Sequence, residues 1–92
     1  MGRTSDVVNL EPLPEKWRSF GWSVVEVDGH NLAELVAVLD TTAERRRDRR
    51  PTAVIARTIK GKGVSFMEGN VLWHYRSPAG DELRAAQREL ER

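Results

Sequence analysis

Two stretches of the sequence hold residue types that could do chemistry. The first is Thr58-Ile59-Lys60-Gly61-Lys62-Gly63-Val64-Ser65. Its lysines bring positive charge and its glycines let a backbone come close to a ligand, a combination that suits a phosphate. It has neither the P-loop spacing nor GxGxxG, so the residues alone leave an ordinary solvated turn open beside a phosphate loop. The second stretch is Leu72-Trp73-His74-Tyr75. A histidine flanked by aromatics can be a general acid–base, a hydrogen-bond donor to a diphosphate, or a structural residue. His30 falls in Asp28-Gly29-His30-Asn31 and reads as a turn residue. Neither histidine sits in HxH or HExxH spacing, so there is no metal-site signal. Nothing has the Ser/His/Asp or Cys/His order of nucleophilic catalysis, and Glu11, Glu15, Glu26 and Glu34 fall on different elements. The run from Arg45 to Arg50 could meet nucleic-acid phosphates. With no aromatic interleaved for base stacking and a net charge of only +1, it reads instead as a solvated helix end, and no nucleic-acid partner is expected.

These stretches need elements to position them. Met1 to Leu10 is polar and irregular. Pro14 sits near the first position of a short helix from Glu15 to Phe20, where a missing N–H does no harm. Trp17 and Phe20, three apart, fall on one face of it, and Gly21 supplies a left-handed stop. Ser23 to Val27 is β-branched and predicts a strand. Asn31 and Glu34 have the spacing of a helix N-cap and its reciprocal acid. The helix they open carries Leu32, Leu35, Val36 and Leu39 as one apolar stripe and ends near Arg46. Thr52 to Thr58 is apolar on both faces in its middle, as in a parallel strand covered by helices. A glycine-rich loop from Lys60 to Ala79 leads to a last amphipathic helix from Asp81 to Arg92, with Leu83, Ala86, Gln87 and Leu90 along one side.

The unit is therefore strand, helix, strand, with a right-handed crossover. A parallel sheet of two strands is not stable by itself and leaves both edges open. The fold class expected is α/β: a portion of a larger parallel sheet, incomplete on its own. The length of 92 residues fits a single small piece, residues 1–92, with no disulfide to brace it because there is no cysteine. Charged residues make up 32% and hydrophobic ones 39%, which is neither disordered nor membrane-like. No apolar run spans a bilayer and Met1 to Asn9 has no signal-peptide pattern, so a cytoplasmic location and no membrane partner are expected.

Several segments taken in order resemble one family. Val8-Asn9-Leu10-Glu11-Pro12-Leu13, Lys16-Trp17-Arg18-Ser19-Phe20-Gly21-Trp22 and Glu26-Val27-Asp28-Gly29-His30-Asn31 resemble successive stretches of transketolases. The segment from Pro51 to Glu68 resembles the next stretch closely, and Trp73-His74 stands where the family has Trp-His-Gly. The likeness runs from about Gly2 to the last helix. It is greatest to the stand-alone N-terminal subunits of split bacterial and archaeal transketolases.

The resemblance implies a thiamine-diphosphate-binding α/β fold and transfer of a two-carbon ketol unit between sugar phosphates, with thiamine diphosphate and Mg2+ as cofactors. By position, Lys60 matches a lysine near the cofactor diphosphate. His74 matches a histidine at the diphosphate and beside the donor substrate, and is the candidate catalytic residue. Tyr75 stands where the family has glycine, and is expected to restrict the backbone and add bulk. Gly69 stands where the family often has asparagine. The family's GDG and Asn-Asn metal motif would fall before Met1, so no metal ligand is expected in this chain, and no cofactor on the chain alone. The expected partners are the remaining transketolase pieces, an upstream segment and a pyrimidine-domain subunit. The alternative is a non-catalytic docking or regulatory module related to transketolase.

Overall fold

The computed structural model of the chain describes residues 1–45 and 49–91. It contains α1 (Thr4–Val7), α2 (Leu13–Ser19), β1 (Ser23–Asp28), α3 (Leu32–Arg45), β2 (Thr52–Arg57), a 3-10 turn (Val71–His74) and α4 (Asp81–Leu90). The chain forms two compact units, one of Thr4–Thr58 and one of Ile59–Arg92 with Met1–Arg3. The arginine run predicted between α3 and β2 lies partly outside the described residues. No helix among them is long and apolar enough to cross a membrane.

In the first unit, β1 and β2 pair in parallel, with Ser23 opposite Thr52 and Asp28 opposite Arg57. The expected α/β strand–helix–strand unit is present, and among the described residues its sheet has these two strands. α2 packs against β1, and α3 packs against both strands. Gly21 takes φ of +86°, the left-handed stop read from the sequence. Gly29 closes the β1–α3 turn because a side chain there would lie 2.5 Å from Thr58 and 3.0 Å from the Arg57 carbonyl. Asn31 Oδ1 accepts the Glu34 amide at 3.1 Å, as the capping pattern requires. The reciprocal bond differs: Glu34 Oε2 accepts the amide of Asp28 at the end of β1, at 3.2 Å. Arg57 bridges Glu11 at 2.7 Å and Glu26 at 3.1 Å. The Arg57 hydrogen bond, with the Leu13 amide behind it, holds the Glu11 carboxyl below its ordinary pKa.

Four expectations change. Residues 4–7 form a short helix where the sequence reads as irregular. α2 ends at Ser19, so Phe20 does not share a face with Trp17. Phe20 is 79% exposed, while Trp17 packs edge-on against Trp22 at 4.7 Å. β2 stops at Arg57, one residue short of Thr58. Of the apolar stripe of α3 only Leu35 is partly covered, together with Val38 beside it, while Leu32, Val36 and Leu39 are 78%, 58% and 62% exposed. Full burial of one such side chain is worth about 1.5–3 kcal/mol. Leaving three in water forgoes a large part of the roughly 5–15 kcal/mol that stabilises a domain. Among the described residues of this unit, Pro14, Val27 and Ile55 are buried, a small core for two strands and three helices.

Candidate functional site

The second unit carries both candidate stretches. After β2 the chain runs through consecutive turns that fold it back on itself. The Gly69 amide donates to the Lys60 carbonyl at 2.8 Å, closing the loop at its base. Gly61 holds φ of +76° against the Met67 backbone, and a Cβ there would lie 2.5 Å from the Met67 carbonyl oxygen. Only glycine fits. Gly69 is also left-handed, at +65°, but faces open space; asparagine tolerates that conformation best among the other residues.

Two carboxylates fasten the loop. Glu68 Oε1 accepts the Gly63 amide at 3.2 Å and lies 3.9 Å from the Lys62 ammonium. Glu89, on α4, accepts both the amide and the hydroxyl of Ser65, at 2.6 and 2.7 Å. The amides of Lys62, Val64, Met67, Glu68, Gly69 and Asn70 all donate to carbonyls nearby. Most of the backbone donors that could make a phosphate nest between Lys62 and Asn70 are thus already committed within the unit.

The Lys60 ammonium is exposed and donates to the Asn70 carbonyl at a long 3.5 Å. Asn70 links the two stretches, since its Oδ1 also accepts the Leu72 amide at 3.0 Å and caps the 3-10 turn that ends at His74. The structure therefore carries Lys60 and His74 on adjoining turns of one unit, joined through Asn70. His74 is exposed, with its ring edge-on to Tyr75 at 4.9 Å. Tyr75 takes φ −108° and ψ −16°, an ordinary right-handed conformation. Tyr75 thus needs no left-handed backbone, and its ring lies against His74. Trp73 is fixed on the other side by Phe66 at 5.4 Å and by the Arg76 guanidinium at 5.0 Å, itself paired with Glu82 at 2.7 Å. An open depression of about 520 Å³ lies between Phe66, Leu72, Trp73, Arg76, Glu82 and Ala85.

α4 is rotated from its expected face. Ala86 is buried and Glu82, Ala85 and Glu89 are partly covered, whereas Leu83 and Leu90 are 42% and 64% exposed. The bonds of Glu82 to Arg76 and of Glu89 to Ser65 set that rotation. Sequence reasoning missed Glu68, Asn70 and Glu89 as the residues that hold the site. The Asn70-to-Leu72 spacing of an Asx turn could have found one of them, but nothing local marks Glu89, whose partner is far away in sequence. Among the described residues no group of three or more His, Asp or Glu could hold a metal ion.

Comparison with known proteins places this geometry. Residues 2–91 match the family model described as transketolase, thiamine diphosphate binding domain. The chain is 41% identical over 91 residues to the 6-deoxy-6-sulfo-D-fructose transketolase subunit SqwG of Clostridium sp. (strain MSTE9), covering 99% of this chain and 32% of that one. It is 40% identical over 90 residues to a subunit of the apulose-4-phosphate transketolase of Actinobacillus succinogenes, covering 98% and 32%. Human transketolase is 35% identical over 65 residues, covering 71% of this chain and 10% of that one. The chain thus spans about a third of the length of these two subunits.

Proposed function

The chain belongs to the transketolase thiamine diphosphate binding domain family, and we propose that it is one piece of a split transketolase, active only when the rest of the enzyme is present. The observation that carries the reading is the pairing of Lys60 and His74 through Asn70 in a chain that matches the family from residue 2 to 91. Thiamine diphosphate supplies the carbanion chemistry of ketol transfer when bound. The residues here fit one side of that group. Lys60 Nζ, with only one long hydrogen bond of its own, is available to a diphosphate oxygen. His74, at the end of the capped turn, offers a ring N–H to the diphosphate or to the donor sugar. Glu68, Asn70 and Glu89 keep both on rigid turns. Donors held in place before charge develops cost no reorganisation when it does.

Contacts to a divalent cation such as Mg2+ are assigned to the remaining pieces, as is the pocket for the aminopyrimidine. The substrates are sugars with an anionic end group. The names of the Clostridium and Actinobacillus relatives specify one sulfonated and one phosphorylated sugar. The proposed location is the cytoplasm, where such sugars are made and used.

The test is ketol transfer with and without the complement. The chain, mixed with the part of the Clostridium subunit outside the match and with a pyrimidine-domain subunit, is expected to release aldose from a ketose phosphate when thiamine diphosphate and magnesium are added. The chain alone is expected to release none. A complex that assembles but neither binds the cofactor nor turns over would replace this reading with that of a docking module.

A further inference from the structure

Tyr75 stands directly beside His74, and burial does not account for it. Its large aromatic side chain is 77% exposed. Its place is nevertheless defined. The Tyr75 amide donates to the Leu72 carbonyl at 3.4 Å, at the end of the 3-10 turn that Asn70 caps. The ring is thus carried on the same capped turn as His74. The two ring planes meet at 88° with their centroids 4.9 Å apart. They form a right-angled corner at the surface, with imidazole on one side and phenol on the other.

The phenol hydroxyl has a poor partner in the chain itself. It donates to Met1 Sδ at 3.9 Å, and a thioether is a weak acceptor. An oxygen atom of a bound molecule is a better one and displaces it.

The chemistry of the side chain narrows what that molecule is. Tyrosine offers a flat apolar face, a hydroxyl that both donates and accepts, and few torsions to freeze on contact. A sugar chain presents C–H groups between hydroxyls and so matches both parts at once. An anionic end group does not, because the face of an aromatic ring is electron-rich. An apolar protein surface matches the face and leaves the hydroxyl unused.

We propose that Tyr75 is a specificity-determining residue. Its ring and hydroxyl take the carbon chain of the donor sugar, beyond the two-carbon unit that is transferred. This rests on the proposed function, in which His74 meets the donor sugar. The Clostridium and Actinobacillus relatives are named for different sugars, so the choice of sugar varies within the family. A residue that adjoins the cofactor contacts, and departs from the family's glycine, is suited to make such a choice.

The experiment uses the chain assembled with the part of the Clostridium subunit outside the match and with a pyrimidine-domain subunit. Two donors are compared. Fructose 6-phosphate carries a hydroxylated chain beyond the transferred unit. 3-Hydroxypyruvate carries the same unit and only a carboxylate, which leaves as carbon dioxide. The readout is the ratio of kcat/KM for the first donor to that for the second. Tyr75→Phe keeps the ring and should lower the ratio about threefold to tenfold, the worth of one neutral hydrogen bond. Tyr75→Gly should lower it about thirtyfold or more, since burial of the ring against the sugar is lost as well. The side chain is exposed, so circular dichroism should show both variants folded as the parent is. A second readout needs no turnover. Tyr75 is the single tyrosine of the chain, so labelled tyrosine gives one ring signal by nuclear magnetic resonance. Sorbitol 6-phosphate has no carbonyl and cannot react. It should shift that signal saturably, and inorganic phosphate should not.

A ratio unchanged in both variants would overturn the proposal. So would an equal loss with both donors, which makes Tyr75 a structural residue. A signal that moves on assembly and then ignores sorbitol 6-phosphate would assign the ring to a partner surface and overturn it as well. The two readings separate. Turnover with an unchanged ratio rejects only the role of Tyr75. A saturable shift by the sugar in an assembly that transfers no ketol unit rejects only the transketolase function. Neither turnover nor a shift rejects both.

Discussion

Lys60 and His74 stand out in the sequence through the family resemblance, residue type and spacing alone leaving a solvated turn and a structural histidine open, and their roles at a cofactor are those of the proposed function. What the structure adds is the means by which they are held. Gly61 occupies a left-handed conformation with no room for a Cβ beside the Met67 carbonyl. Gly61→Ala should therefore cost at least about 1–2 kcal/mol, the penalty of placing an L-residue in that region, read as a lower unfolding midpoint of the assembled enzyme. Tyr75 illustrates the opposite case. Its difference from the family's glycine signals a departure in sequence, yet the backbone there is ordinary. His74→Ala should reduce turnover of the assembled enzyme by about a hundredfold or more, the lower end for a positioned proton donor, and leave assembly unchanged. Equal turnover would remove His74 from the site.

At the scale of elements, strands and helices followed from period and from the caps, and their faces did not. The stripe residues lie on α3 as expected, but only Leu35 of the four is partly covered. α4 turns Glu82 and Glu89 inward because their partners, Arg76 and Ser65, lie outside the helix. No helical period encodes a partner elsewhere in the chain. The Asn31 cap was legible, and Asn31→Ala should cost about 1 kcal/mol in denaturant unfolding. The Arg57 bridge from β2 to Glu11 was not, because it joins residues far apart in sequence. Its sign in pH is fixed by the direction of the shift. Glu11 is held below its ordinary value, so its contribution to stability is present above the unfolded carboxylate pKa of about 4.3 and is lost as the pH falls through the lower folded value. Glu11→Gln should flatten that acid limb of the stability profile, and an unchanged limb would exclude the bridge as its source.

For the whole molecule, the α/β class and its incompleteness share one cause. Two strands with exposed apolar residues on α3 bury little surface, and the sequence foreshadows the covered parallel strand in the apolar run of β2. The committed loop amides were not legible, because six of them donate to carbonyls that only the folded loop brings near, and those of Gly63 and Ser65 donate to Glu68 and Glu89. The proposed function assigns the diphosphate contact to side chains, Lys60 first. A calorimetric titration of thiamine diphosphate with magnesium into the chain, and into the chain joined to its complement, tests this most directly. No heat of binding is expected for the chain alone, and saturable binding is expected for the complex. The Lys60→Ala complex should bind about ten- to a hundredfold more weakly, the worth of one charge-assisted hydrogen bond. Saturable binding by the chain alone, or an undiminished affinity in the Lys60→Ala complex, would contradict this.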